Sequence, residues 1–209
     1  MAARSAAQKL KTASAAKPAG GDKRVAIIDA ALALFRANGY RRTAMEDIAQ
    51  AANVAKGTLY LYFKSKDELF EALARLLASR IQADLEAAAA RDLPLQGKVL
   101  AVLDAKLGFF FRSVLSSPHA AELLEPRANL PGDIFEPVNQ AFRGMLAKAL
   151  REGVKRGEID PRAAGLSLDM ALETLLAAAY GAEHGGGSET DFHDRLARIV
   201  ALTLRGLRP

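Results

Sequence analysis

The chain has 209 residues, half of them hydrophobic, with no cysteine and a formal net charge of +5. That length suffices for a sizeable core in one or two domains, and the absence of cysteine excludes disulfides, a thiolate nucleophile and a zinc–thiolate site. Charges interrupt every apolar run well short of the roughly 18 residues a membrane span needs, and residues 1–21 lack the apolar core of a secretory signal, so a soluble, cytoplasmic chain with no membrane contact is expected.

Residues 1–21 are rich in Ala, Lys, Ser and Gly, carry no acid, and read as a disordered basic arm. Residues 1–66 hold twelve Lys/Arg against four Asp/Glu, a net of +8, whereas residues 67–209 come to −3. Without the arm, residues 22–66 still stand at +4, so this third of the chain suits a polyanion. Over residues 23–38, Val25, Ile28, Leu32 and Phe35 form one stripe, with Ile27, Ala31 and Leu34 beside it. This is a helix with a wide buried face, stopped by Asn38-Gly39. Thr43 with Glu46 three residues later is a capping box opening a second helix, whose apolar face is Met45, Ile48, Ala49 and Ala52. Asn53 tolerates a left-handed turn, Val54 is an apolar plug, and a short helix over about 56–62 follows. Two short helices joined so tightly cross steeply, as in a helix-turn-helix whose second helix enters the DNA major groove.

Ser65 to Glu68 is a second capping box, starting a long helix to about Arg91 that Leu93-Pro94 breaks. A helix over 95–116 follows, and Pro118 suits the first turn of a short helix ending near Glu125. Residues 126–132 read as loop and 133–156 as helix, with Gly157 its stop. Asp160-Pro161 reads as an N-cap and first-position proline opening a helix that ends before Gly185, and Thr190 as the cap of the last helix. No segment has the two-residue period of a strand and none repeats, so the fold class is all-α with about nine helices.

Ile48-Ala49, Val54 and the run Lys56-Gly57-Thr58-Leu59-Tyr60-Leu61-Tyr62-Phe63-Lys64-Ser65-Lys66-Asp67-Glu68-Leu69 resemble the signature of the TetR (tetracycline repressor) family of bacterial regulators. The motif-bearing resemblance spans roughly residues 24–70. It implies a helix-turn-helix DNA-binding domain over 22–66 and a ligand-binding and dimerisation domain over 67–209. By resemblance, Lys56, Gly57, Thr58, Leu61 and Tyr62 occupy major-groove positions, and Thr43, Tyr60 and Lys66 occupy phosphate-contacting ones. Leu59 and Phe63 face inward by spacing alone. Lys64 serves either as a further phosphate ligand or as a solvated lysine, and Tyr60 also fits a core tyrosine. Ala55 stands where many members have a serine cap, at a cost of about 1 kcal/mol, and Asn53 replaces the more frequent turn glycine.

The resemblance further implies a homodimer on a palindromic operator of double-stranded DNA, with the last two helices, residues 161–183 and 190–205, pairing with their mates. Leu172, Leu176, Tyr180, Leu196, Ile199 and Thr203 are candidates for that seam, and the same spacing serves packing within one subunit equally well. It implies also a small-molecule effector that lowers DNA affinity by favouring the other state of the body. Phe109, Phe110, Phe111, Phe135, Phe142, Met145, Met170 and Glu173 are candidates to line its pocket, with plain core packing the competing role. The expected function is a repressor released by such an effector. The alternative is a DNA-binding regulator of the same fold without a small ligand, an activator or one controlled by a protein partner. No cofactor, metal or catalytic site is expected. His119, His184 and His193 lack metal-ligand spacing on one helix, and Gly185 to Gly187 follows a helix as a turn rather than a phosphate loop.

Overall fold

The computed structural model describes residues 20–124, 131 and 134–209, and these form nine α-helices with no strand among the described residues. The first four are α1 (Gly20–Asn38), α2 (Met45–Ala51), α3 (Lys56–Tyr62) and α4 (Lys66–Ala90). Residues 1–19 of the expected arm lie outside the described residues, and Gly20 and Gly21 already belong to α1. Gly39 leaves α1 at φ +87°, and Asn53 turns the chain between α2 and α3 at φ +53°. Asn is among the few side chains that tolerate this left-handed region.

The first capping box forms one residue out of its expected register. Ala44 is the N-cap of α2, and the Asp47 carboxylate, not that of Glu46, accepts its N–H at 3.0 Å. Thr43 lies beneath, 2% exposed, and its hydroxyl donates to the Gly39 carbonyl at 2.7 Å. Ser65 caps α4 as expected by accepting from Glu68 N–H at 3.1 Å, while the Glu68 carboxylate reaches back to Lys64 N–H at 2.7 Å.

Beyond Pro94, α5 (Leu95–Leu103) is carried on by two π-helical turns, Asp104–Gly108 and Phe111–Leu115. After α6 (Ala120–Leu124), Glu125 and all of the expected 126–132 loop but Pro131 lie outside the described residues. The next helix, α7 (Glu136–Lys155), begins three residues later than expected. Asp160 does not open a long helix. It caps a single 3-10 turn, Pro161–Ala164, which Gly165 ends at φ +72°. Ser167 then accepts from Met170 N–H and starts α8 (Leu168–Gly181). The cap of α9 (Glu189–Gly206) is Ser188 rather than Thr190, with the Asp191 carboxylate accepting Ser188 N–H at 2.8 Å.

Two apolar cores result. One joins Ile28 and Phe35 of α1, Ile48 of α2, Leu59, Phe63, and Leu69 and Leu73 of α4, and it reaches Val114 and Leu123. The other joins Ile81 and Leu85 of α4 to Leu103, Phe142, Leu146, Leu175 and Leu196. Within it, Phe111 and Phe192 stack with centroids 4.6 Å apart. Each fully buried side chain of this size contributes about 1.5–3 kcal/mol. The fourth helix feeds both cores and so connects head to body. A polar joint adds to it, in which Ser117 Oγ donates to the Arg36 carbonyl at 2.8 Å and Arg36 donates to Ser116 Oγ at 3.2 Å.

Candidate nucleic-acid interface

The face that α3 shows to solvent is set by what it buries. Leu59 and Phe63, four residues apart, plug the head core, as their spacing predicts. The opposite face therefore carries Lys56, Gly57, Tyr60 and Leu61 outward, with Thr58 and Tyr62 half-buried at its edges and Lys64 exposed just past the end of the helix. Leu61 is 87% exposed and Tyr60 39%. A Cβ built on Gly57 would meet nothing within 4 Å. Ala55 caps this helix with no side-chain hydrogen bond.

Lys56 reaches across to α2, where its ammonium lies 2.6 Å from the Glu46 carboxylate and 5.9 Å from the centre of the Tyr60 ring. The hydrogen bond from Lys56 holds the Glu46 carboxyl below its ordinary value, and the same contact raises Lys56. Both groups stay in solvent, so the pair orients the two helices more than it stabilises them.

Two residues in expected phosphate-contacting positions are turned inward instead. Thr43 spends its hydroxyl on Gly39, as described above. Lys66 folds its ammonium against the α1–α2 turn, donating to the carbonyls of Tyr40 (2.8 Å), Thr43 (3.1 Å) and Arg41 (3.3 Å). It also lies 4.5 Å from the centre of the Tyr40 ring. Tyr40 in turn donates its hydroxyl to the Asp67 carboxylate. Burial, and then that carboxylate, push its phenol far above the ordinary value. Lysine is the wrong charge for the first turn of a helix, which hints that Lys66 serves something other than α4, although nothing in the sequence points to the three carbonyls it meets.

In the body, Phe110 and Phe135 line an apolar cavity of about 40 Å³ shared with Leu32, Phe70, Leu77 and Leu123, at the junction of α1, α4 and α6. The other pocket candidates sit elsewhere. Phe142 and Phe111 are core, Phe109 and Met145 pack against it, and Met170 is 53% exposed. Glu173 is on the surface, paired with Arg143. Of the seam candidates, Leu172, Leu176 and Leu196 are buried in the subunit's own core and Ile199 is packed against it. Thr203 is half-buried, and Tyr180 is exposed and accepts a hydrogen bond from Lys106 Nζ at 3.0 Å. The exposed side of α8 carries Met170, Thr174, Ala177 and Tyr180, and that of α9 carries Leu202 at 68% exposure. Packing within one subunit therefore accounts for most of the predicted seam stripe, and the outward side of α9 around Leu202 is otherwise charged, with Asp191, Asp194, Arg198 and Arg205.

Residues 27–73 match the family model described as bacterial regulatory proteins, tetR family. Over 189 residues the chain is 30% identical to the HTH-type transcriptional repressor KstR of Mycolicibacterium smegmatis, covering 88% of this chain and 87% of that one. It is 31% identical over 165 residues to the fatty acid metabolism regulator protein of Bacillus subtilis, covering 73% and 77%. The chain belongs to the TetR family. A TetR/AcrR-family regulator from Thermobifida fusca superimposes with a TM-score of 0.66 at 25% identity, over 90% of this chain and 100% of its own. As a TetR-family member the chain is a transcriptional regulator with a DNA-binding helix-turn-helix, not an enzyme. Among the described residues, no helix is long and apolar enough to cross a membrane, and no three His, Asp or Glu side chains are grouped to hold a metal ion.

Proposed function

We propose that this TetR-family chain is a repressor that binds a palindromic operator as a homodimer and is released by a small-molecule effector. Residues 22–66 act as the DNA-binding head and 67–209 as the ligand-binding and dimerisation body, with residues 1–21 a basic arm. Because the head's apolar core continues into α4 as far as Leu77, this division separates roles rather than packing units. The observation that carries the reading is the outward face of α3, where an open Gly57, an 87% exposed Leu61 and the exposed Lys56 lie together, with Lys64 exposed just past the helix. Lys56, Gly57, Thr58, Leu61 and Tyr62 then meet base edges, Tyr60 and Lys64 meet phosphates, and Thr43 and Lys66 hold the turn behind them.

Lysine and arginine contacts to phosphate release counterions, so duplex affinity is expected to fall roughly a thousandfold between 50 and 200 mM salt if a dimer makes six or more such contacts. Fluorescence anisotropy on an operator duplex across that range checks this, and a flat salt response removes the phosphate contacts from the account.

Dimerisation is assigned to the exposed faces of α8 and α9. The double variant Met170→Asp/Leu202→Asp is expected to sediment as a monomer that keeps the helical content of the wild type, because both side chains are in solvent in the single chain. It is expected to melt lower than the wild type by the contribution of the lost partner. A dimer that survives places the seam elsewhere.

The effector is assigned an apolar character. Phe110 and Phe135 already face a wholly apolar cavity, and the name of the Bacillus subtilis relative ties that protein to fatty acid metabolism. Ligand sites for drug-sized molecules run to about 300–1,000 Å³, so a cavity of about 40 Å³ has to open before it can accept one. Parting α6 from α1 opens it, and that motion disturbs the head. The small cavity also favours the second reading, a regulator of this fold with no small ligand. Isothermal titration with straight-chain fatty acids and their thioesters, with and without operator, separates the two.

A further inference from the structure

We propose that Leu61 reads the 5-methyl group of a thymine in each operator half-site, an inference that rests on α3 being the helix that enters the major groove. Leu61 is the most exposed of the large hydrophobic side chains among the described residues, ahead of Leu202 and Met170 on α9 and α8. Among the described residues neither apolar core uses it, because the plugs of the head core are Leu59 and Phe63 on the opposite side of the helix. An apolar side chain fully out in water gains only by meeting another apolar surface. In the major groove the edges of base pairs present hydrogen-bonding groups and a single apolar one, the thymine methyl.

The surroundings of Leu61 allow that approach. Gly57 lies one helical turn before it on the same face, and a Cβ there would touch nothing in the chain. The glycine therefore answers no internal packing need, although it weakens a helix interior by roughly 0.5–1 kcal/mol relative to alanine. Its bareness serves an object outside the chain by letting the helix backbone come close to the groove floor. With the backbone that near, the Leu61 branch reaches the C5 position of a pyrimidine. Thr58, three residues before Leu61, is left to exchange hydrogen bonds with polar base edges.

The test uses the full-length protein and a half-site obtained by selection from random duplexes. Each thymine of the selected site is replaced singly by deoxyuridine, which removes the methyl and keeps the base pair. At one thymine per half-site the wild type is expected to lose about fourfold in affinity, the value of one buried methyl-sized group. Leu61→Ala is expected to bind the thymine and uracil duplexes equally. Its melting temperature, unchanged because the side chain is in solvent, shows that the variant is folded. Uracil tolerated at every position overturns the inference while leaving groove binding by α3 intact, and so does a uracil penalty that persists in Leu61→Ala. A protein that selects no duplex at all overturns both.

Discussion

Lys66→Ala is expected to destabilise the head by about 1.5–3 kcal/mol, the worth of hydrogen bonds to a charged group, with an accompanying loss of operator binding. The ammonium of Lys66 closes the carbonyls of Tyr40, Arg41 and Thr43 onto the first turn of α4. Its removal leaves those carbonyls short of a donor and takes the cation from the face of Tyr40. The turn they belong to delivers α2, and α2 sets the angle of α3. A lysine that touched phosphate would behave differently. Its replacement would lower the salt slope of binding by about one and leave the melting curve of the free protein where it was. Urea denaturation without DNA therefore decides between the two roles. An unchanged midpoint would show that the three carbonyls find other donors and that Lys66 belongs to the interface. Lys66→Arg is expected to recover little, because a planar guanidinium with a fixed fork does not converge on three carbonyls as a compact ammonium does.

That role was only half visible in the amino-acid order. The helices themselves were legible, because caps and apolar stripes are local signals. Pro94 ahead of α5, Gly157 after α7 and the left-handed Asn53 all stand where such residues belong. The errors arose where two local signals competed. Asp160-Pro161 is a sound helix start, yet Gly165 stops it after one turn and Ser167 begins the helix proper. Thr190 lost to Ser188 because only Ser188 has an acid three residues on to complete the box. The exposed face of α3 was legible from Leu59 and Phe63 alone. By contrast, no sequence pattern reports that Lys66 turns back 26 residues to Tyr40. Such a contact depends on how α1 and α4 pack, and that is settled by Phe35, Tyr40 and Phe70, whose rings meet at 5.1 to 6.2 Å. The outward side of α8 is faintly marked for a related reason, since Met170, Ala177 and Tyr180 stand there among Asp169, Glu173 and Thr174. By comparison, Asp191, Asp194, Arg198 and Arg205 mark the outward side of α9, and only Leu202 departs from it.

Gly57→Ala is expected to move stability and binding in opposite directions. An alanine fits the backbone of α3 without strain, since Gly57 does not hold a positive φ, and its Cβ meets no neighbour. The fold should therefore gain about 0.5–1 kcal/mol from the better helix former. The same methyl stands on the face that α3 offers to DNA, beside Leu61 and Lys56. It holds the helix away from the base edges, and specific contacts that each discriminate by about 1–3 kcal/mol are lengthened together. Operator affinity is expected to drop roughly tenfold or more, while binding to a scrambled duplex, held by phosphate contacts alone, changes much less. Thermal melts and paired anisotropy titrations on the selected and scrambled sites measure the three quantities on one preparation. A variant that melts higher and still binds its operator at full strength would mean that the bare backbone at position 57 faces water in the complex, and α3 would then have to enter the groove by another edge.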